Sequence, residues 1–154
     1  MRRILYTVAF GIGLAISSAA SPLFAQSMDQ VKVAFEHALP NTPGKKMVAV
    51  VVTYPPGGKS ASHHHAPSAF IYAYVLSGAI RSQVDGQPPT VYQAGEGFYE
   101  VPGSHHKISE NVSQTTPASL LAIFEVDSKD RFLTTPDQNQ PSRHDLSQRR
   151  KNER

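Results

Sequence analysis

The stretch Pro56-Gly57-Gly58-Lys59-Ser60-Ala61-Ser62-His63-His64-His65 places three consecutive histidines shortly after a Pro-Gly-Gly turn. Residues two apart on a β-strand point to the same side, so His63 and His65 can direct two imidazoles at one point while the middle histidine faces away. Further along the chain, a Pro-Gly turn precedes another histidine, His106. Because imidazole is a common ligand of transition metals, this spacing indicates a metal site built on β-strands.

Short apolar runs rich in β-branched and aromatic residues surround this stretch, and turn pairs such as Asp85-Gly86 separate them. The predicted strands are 31–35, 47–54, 70–77, 79–84, 90–92, 97–101, 106–109 and 119–126. Many short strands at this spacing predict an all-β sandwich or barrel in a single domain. Residues 28–39 can also be drawn as an amphipathic helix, but the alternation over 31–35 favours an edge strand.

The first residues have the pattern of an export signal. Two arginines follow Met1, an apolar stretch covers 4–16, and small residues lead to Ala25. This pattern predicts a signal peptide over residues 1–25, cleaved after Ala25 or, as the second choice, after Ala20. A membrane anchor is the alternative, but the apolar run is short for a bilayer span, so no stable membrane insertion is expected after cleavage. We expect the mature protein in a bacterial periplasm, exported by the general secretory route rather than the twin-arginine route.

The rest of the chain divides into a lead-in with one strand (26–46), the barrel (47–126) and a polar, basic tail (127–154). The tail is expected to be disordered from about residue 136, with Phe132 and Leu133 packing back on the domain. A tether to an acidic surface is the alternative for its charges. The chain has no cysteine, so nitrogen and oxygen donors must hold any metal. The net charge of +3 comes from the two ends, which gives little support to a nucleic-acid partner.

The motifs around the histidines resemble those of the cupin superfamily. Pro56-Gly57-Gly58, His63-x-His65 and Tyr74-Val75-Leu76-Ser77-Gly78 look like the first cupin motif, and Gly95-Glu96, Pro102-Gly103-x-x-His106 and Asn111 look like the second. The resemblance implies a double-stranded antiparallel β-helix, or jelly-roll barrel, with a metal held inside by His63, His65 and His106. It also implies a small-molecule ligand or substrate and a homodimer.

Two departures from the cupin pattern bear on the metal. The first motif usually carries a glutamate ligand three residues before its Tyr-Val-Leu segment, where this chain has Ile71. The resemblance therefore implies a centre of three histidines without that carboxylate. In the second motif, Val101 replaces the usual first proline and the asparagine is displaced by one residue, which leaves His106 in place.

The alternation of side chains along a strand indicates which of two neighbouring histidines faces the barrel interior. If Ile108 enters the barrel, His106 enters with it. The residues expected to face water on this argument are His64, His105, Lys107 and Ser109. A β-bulge at a strand end would reverse either choice. His37 and His144 lie outside the motifs and are expected at the surface.

Five other residues are candidates for the pocket: Phe70, Tyr72, Gln83, Phe98 and Glu100. Tyr74 and Tyr99 are further candidates for the core or the pocket wall. Glu100 could restore a carboxylate to the metal, although a glutamate before a turn is more often a surface residue. Gln83 fits an exposed strand position equally well.

The histidine set leaves the metal and the activity open. The candidates are divalent Fe, Mn, Ni, Cu and Zn, and a solvated histidine cluster without metal is the alternative. A three-histidine centre would carry a higher net charge than one with a glutamate ligand, which would favour an anionic or chelating ligand bound to the metal. By resemblance, a three-histidine centre implies a dioxygenase-like oxidoreductase, although no general base is evident. A cupin that only binds a metal or small ligand, as a sensor or accessory protein, fits almost as well.

Overall fold

The structure is a computed structural model that describes residues 29–137, and these residues form ten β-strands. The strands are β1 (Gln30–Ala38), β2 (Lys45–Tyr54), β3 (His63–His65), β4 (Phe70–Ser77), β5 (Ala79–Val84), β6 (Thr90–Gln93), β7 (Gly97–Glu100), β8 (His105–Asn111), β9 (Ala118–Asp127) and β10 (Thr134–Pro136). Within 29–137, no helix is long and apolar enough to cross a membrane. The predicted signal peptide, 1–25, lies outside the described residues.

The strands form two five-stranded antiparallel sheets. One sheet has the order β1-β2-β9-β4-β7 and the other the order β10-β3-β8-β5-β6. Most strands consecutive in the chain lie in opposite sheets, and the exceptions, β1-β2 and β5-β6, are direct neighbours in one sheet, as in a jelly roll. The predicted all-β, double-sheet fold class is therefore confirmed.

Strict alternation builds the core between the sheets. Along β2, β4 and β9, every second side chain is buried. The buried residues of these strands are Val48, Val50, Val52, Tyr54, Ile71, Ala73, Val75, Ala118, Leu120, Ala122, Phe124 and Val126. Ile80 of β5, which is fully buried, joins this cluster from the other sheet. The core thus follows from the period of two that the sequence shows in these runs.

At the N-terminal end of the described chain the structure decides between the helix and the strand alternatives. At the C-terminal end it contains a strand that was not predicted. Residues 30–38 form the edge strand β1, not a helix. The short strand β3 has the geometry that the argument from His63 and His65 requires, and it pairs with β10, a short strand absent from the predicted set, with Thr134 opposite His65. The structure describes the chain through Asp137, so the disorder expected from about residue 136 concerns residues almost wholly outside the described range. Pairing to a strand far away in sequence orders this polar segment, and composition carries no signal of such pairing. The tail beyond Asp137 lies outside the described residues.

Tyr54 closes one end of the core with a chain of hydroxyl groups. Its side chain is 1% exposed, and its hydroxyl oxygen lies 2.7 Å from Ser109 Oγ and 3.0 Å from Ser60 Oγ. Ser60 donates its only hydroxyl hydrogen to Asp29 at 2.6 Å, so Tyr54 donates to Ser60 and accepts from Ser109. Burial, opposed by these hydrogen bonds, raises the pKa of Tyr54 to about 12.

We expect Tyr54→Phe to lower the free energy of unfolding at neutral pH by about 1–2 kcal/mol, because both serines lose a buried partner. In the wild type, the native state keeps a phenolic proton that the unfolded chain releases above pH 10.0. Stability from this source, about 3 kcal/mol, is thus present below pH 10 and is lost as the pH rises through 12. Urea unfolding at pH 7 and pH 11 measures both effects, with Tyr99→Phe, an exposed tyrosine, as the control. An identical alkaline loss in wild type and Tyr54→Phe would contradict the assignment.

Candidate metal centre

Strands β3 and β8 bring three histidines together inside the barrel. His63 pairs with His106 across the two strands, and His65 lies on the same face as His63. Their potential ligand atoms all lie within 4.8 Å of one another. His65 and His106 are buried, and His63 is partly buried. The arrangement can offer three nitrogen donors to one ion.

His63 is held in the form that a metal ligand needs. Its Nδ1 donates to the carbonyl oxygen of Ala61 at 2.7 Å, which leaves Nε2 with a free lone pair. Burial, opposed by that hydrogen bond and aided by the two neighbouring histidines, lowers the pKa of His63 to about 4. The ring is therefore neutral near pH 7, and no proton has to leave before it can bind a cation.

Glu100 places a carboxylate among these histidines. Its side chain is 3% exposed, Oε2 lies 3.0 Å from His65 Nε2, and Oε1 lies 3.2 Å from His106 Nδ1. Burial alone would raise the pKa of Glu100, but the adjacent imidazoles of His106 and His65 outweigh it and hold that pKa well below its usual range. Glu100 is therefore an anion in the centre, and the alternative that it is a surface residue is wrong.

The position of Glu100 accounts for the isoleucine in the first motif. Ile71 on β4 and Glu100 on β7 are direct cross-strand partners, both are buried, and both line the same cavity. The facing strand therefore supplies the carboxylate that β4 lacks. The group that converges here is three histidines and one carboxylate, not three histidines alone.

The lack of hydrogen-bond partners at His65 bears on whether the site suits a metal ion. Both of its ring nitrogens are buried and have no hydrogen-bond partner, since the approach of Glu100 lacks hydrogen-bond geometry. An unpartnered buried polar atom costs about 1–3 kcal/mol, which a cation bound among these groups would offset. Three nitrogens and one carboxylate oxygen suit divalent Fe, Mn, Ni, Cu and Zn, so the donor set fits a transition metal without selecting one.

The centre lies in a cavity of about 1130 Å³ between the sheets. Its apolar wall comes mainly from Val31, Val33, Val50, Val52, Ile71, Ala73, Phe98, Leu120, Ala122, Phe124 and Leu133. Phe124 contacts the histidines directly, with its ring centroid 5.7 Å from that of His65. The cavity can therefore hold an apolar body beside a polar, cation-binding end.

The structure places some of the predicted pocket residues at the cavity and others on the outer surface. Phe98 and Glu100 line the cavity. The prediction for Phe70 and Tyr72 is wrong, because they lie on the outer face of β4, 46% and 45% exposed. Ile71 between them points inward, so its neighbours must point outward. Tyr74 and Tyr99 are exposed on the same outer face.

Gln83 also lies outside the cavity. Its side-chain amide donates to the carbonyl oxygen of Gln87 at 3.0 Å, in the hairpin between β5 and β6. The prediction of Gln83 as a pocket residue is wrong, and the alternative of an exposed strand position fits only in part, because Gln83 is partly buried. A local hairpin contact satisfies its amide, which strand alternation alone does not reveal.

The alternation argument fails within β8. Ser109 was expected to face water, but it is 5% exposed and lines the cavity, whereas Ile108 is only partly buried and does not line it. The pairing partners of His106 and Ile108 on β5 are consecutive residues, so Lys107 is an extra residue in the ladder. This bulge lets His106 and Ser109 face inward together despite their odd spacing.

Comparisons with known proteins agree with this fold. Residues 50–124 match the model of the cupin domain family. A protein with a double-stranded β-helix domain from Klebsiella pneumoniae has a similar structure, with a TM-score of 0.57 and 20% identity over 73% of this chain and 86% of its own. A cupin 2 conserved barrel domain protein from Rhodopseudomonas palustris aligns with a TM-score of 0.53 and 18% identity over 86% of this chain and 81% of its own.

An oxalate oxidase solved with glycolate aligns with a TM-score of 0.51 and 23% identity, over 73% of this chain and 56% of its own. Identities this low show a common fold and no more. No curated protein matches the sequence. The family match and the two antiparallel sheets nevertheless agree with the motifs, and the chain contains a cupin domain within a small, single-domain β-barrel fold.

Proposed function

We propose that this protein is an exported cupin that binds one divalent transition metal at His63, His65, His106 and Glu100 and acts on a small organic molecule. The observation that carries the proposal is the convergence of two buried imidazoles, one partly buried imidazole and a buried carboxylate in one cavity, with His65 left without a hydrogen bond. Export rests on the pattern of residues 1–25. The metal remains one of Fe, Mn, Ni, Cu and Zn.

The charges and the wall of the cavity indicate the class of substrate. Glu100 neutralises one charge of a divalent ion, so a net charge of about +1 remains to attract an anionic or chelating oxygen ligand. The apolar wall suits the hydrocarbon part of such a molecule and excludes water from the centre. When bound, the metal would supply Lewis-acid activation or, if redox-active, dioxygenase-like oxidation. The oxalate oxidase with glycolate supports the idea that a barrel of this kind can hold a small oxygenated acid.

A second candidate function is binding without turnover, in a sensor or accessory protein. It is favoured by the low pKa of Glu100, because a carboxylate stabilised by two imidazoles is a weak base. Oxygen uptake with small keto, hydroxy and dicarboxylic acids separates the two. Turnover that depends on the metal supports the enzyme, and saturable binding without turnover supports the binder.

The homodimer implied by the resemblance stays a prediction. The outer face of β4 and β7 offers one surface for it, because apolar side chains are exposed there. They are Phe70, Tyr72, Tyr74, Leu76, Tyr99 and Val101. Contiguous exposed apolar residues of this kind are typical of protein–protein contacts.

We expect replacement of His63, His65 and His106 together by alanine to remove one metal ion per chain from the purified protein. The reason is that all three nitrogen donors of the centre are lost, leaving a single carboxylate. Elemental analysis of protein purified from the periplasm gives the metal content, and circular dichroism shows whether the variant folds. His37→Ala, an exposed histidine on β1, is the matched control. Equal metal content in the triple variant and the wild type would rule out the proposed centre.

A further inference from the structure

A second histidine cluster lies on the outer face of the strands that carry the first. His64 and His105 pair across β3 and β8, and their rings stack with centroids 4.1 Å apart and planes 13° from parallel. Asp137, directly after β10, places Oδ2 3.0 Å from His105 Nε2 and Oδ1 3.8 Å from His64 Nε2. One potential ligand atom from each residue lies within 4.8 Å of the others.

Neighbouring groups hold this cluster in place. Ser62 donates its hydroxyl hydrogen to Asp137 Oδ2 at 2.7 Å, and its oxygen lies 2.9 Å from His105 Nε2. The hydrogen on His105 Nε2 therefore points at Ser62 and Asp137, which is where a cation would replace it. Asp85 fixes the backbone of His105, whose amide donates to Asp85 Oδ1 at 2.9 Å. Two of the three side chains are thus oriented before any ion binds.

We propose that His64, His105 and Asp137 form a second, exterior site for a divalent transition-metal ion, and that this ion fastens β10 to β3. Two imidazoles and one carboxylate, with water in the remaining position, are a donor set suited to Zn²⁺ or Cu²⁺. The alternation of β3 separates the two sites, because His63 and His65 face the cavity while His64 faces out. The exterior site is therefore distinct from the interior centre.

An ion that holds β10 against β3 would also affect the interior cavity. Leu133, Thr134 and Pro136 line the interior cavity. The segment pairs with β3 over three residues, and backbone hydrogen bonds flank this pairing, from Ala66 N to Leu133 O at 3.0 Å and from Asp137 N to Ser62 O at 3.1 Å. An ion held by Asp137 on one side and by β3 and β8 on the other would keep this wall closed.

Calorimetric titration of the chelator-treated protein with Zn²⁺ tests the site. The wild type and the control His37→Gln are expected to bind two ions per chain. His64→Gln and Asp137→Asn, both changes of partly or largely exposed side chains, are expected to bind one ion fewer or to bind it at least about tenfold more weakly. Full retention of the second ion in both variants, or a wild type that binds a single ion lost with the interior histidines, would overturn the exterior site.

Hydrogen exchange tests the fastening separately, in the variant that lacks the three interior histidines. Zn²⁺ should slow exchange of the Ala66 and Asp137 amides, and the added Asp137→Asn change should abolish that slowing. Zinc binding without slower exchange would overturn the fastening. The proposed interior metal centre has a separate test. It is wrong if the variant without its three histidines binds as many ions as the wild type. Should that variant not fold, the same exchange comparison is made between wild type and Asp137→Asn.

Discussion

Glu100→Gln is expected to weaken binding of a divalent metal at the interior centre by about 10- to 100-fold. The substitution keeps the shape of the side chain but removes the carboxylate that contacts His65 and His106. Three neutral nitrogens would remain, so the anionic part of the attraction to the cation is lost. Competition with a chromogenic chelator measures the affinity. Glu125→Gln, an exposed glutamate of β9 outside the cavity, is the matched control.

The cross-strand pairing of Ile71 with Glu100 provides a rescue for this prediction. Adding Ile71→Glu to Glu100→Gln returns a carboxylate to the same region from the opposite strand, at the position where the cupin motif usually has it. We expect most of the lost affinity to return. Unchanged affinity in Glu100→Gln would show that Glu100 does not act on the metal. A loss that Ile71→Glu does not restore would mean that the carboxylate must come from β7.

Phe124→Ala is expected to lower the free energy of unfolding by about 3–5 kcal/mol. Phe124 is 3% exposed, pairs with Val48 on one side and Ile71 on the other, and contacts the ring of His65. Removing its ring leaves a hole in the core beside an imidazole that has no hydrogen-bond partner. Urea unfolding in the presence of a chelator measures the effect without a contribution from bound metal.

Phe124→Leu is the matched control, because it keeps most of the buried volume, and it is expected to cost less than about 1.5 kcal/mol. A loss in Phe124→Ala as small as that of the control would mean that the cavity wall relaxes around the missing ring. It would also mean that Phe124 is not part of the rigid support of His65.

The regular strands could be predicted because their signal is local. In β2, β4 and β9, apolar residues at every second position meet the core, and the turns between strands are marked by glycine, proline and aspartate. The same rule corrects the pocket assignment of Phe70 and Tyr72. With Ile71 inside the barrel, the residues on either side of it must face out, and this signal is present in the sequence itself.

Other features could not be read from the chain. The bulge at Lys107 changes which side of β8 faces the cavity, and it depends on how β8 pairs with β5. The strand β10 exists because β3 offers it an edge, since its own residues have no strong strand pattern. Both depend on pairing between segments far apart in sequence, which hydrophobic periodicity does not report.

The candidate metal sites also have features that the local sequence predicts and features that only the tertiary structure shows. The spacing of His63 and His65, and the turn before His106, are local features, and they were enough to indicate three histidines as candidate ligands, while the series of short strands predicted the all-β fold. The buried carboxylate of Glu100 opposite Ile71, and the meeting of His64, His105 and Asp137 outside the barrel, follow from cross-strand register. Register is set by the packing of both sheets together, so it brings distant residues into contact without leaving a pattern in either segment.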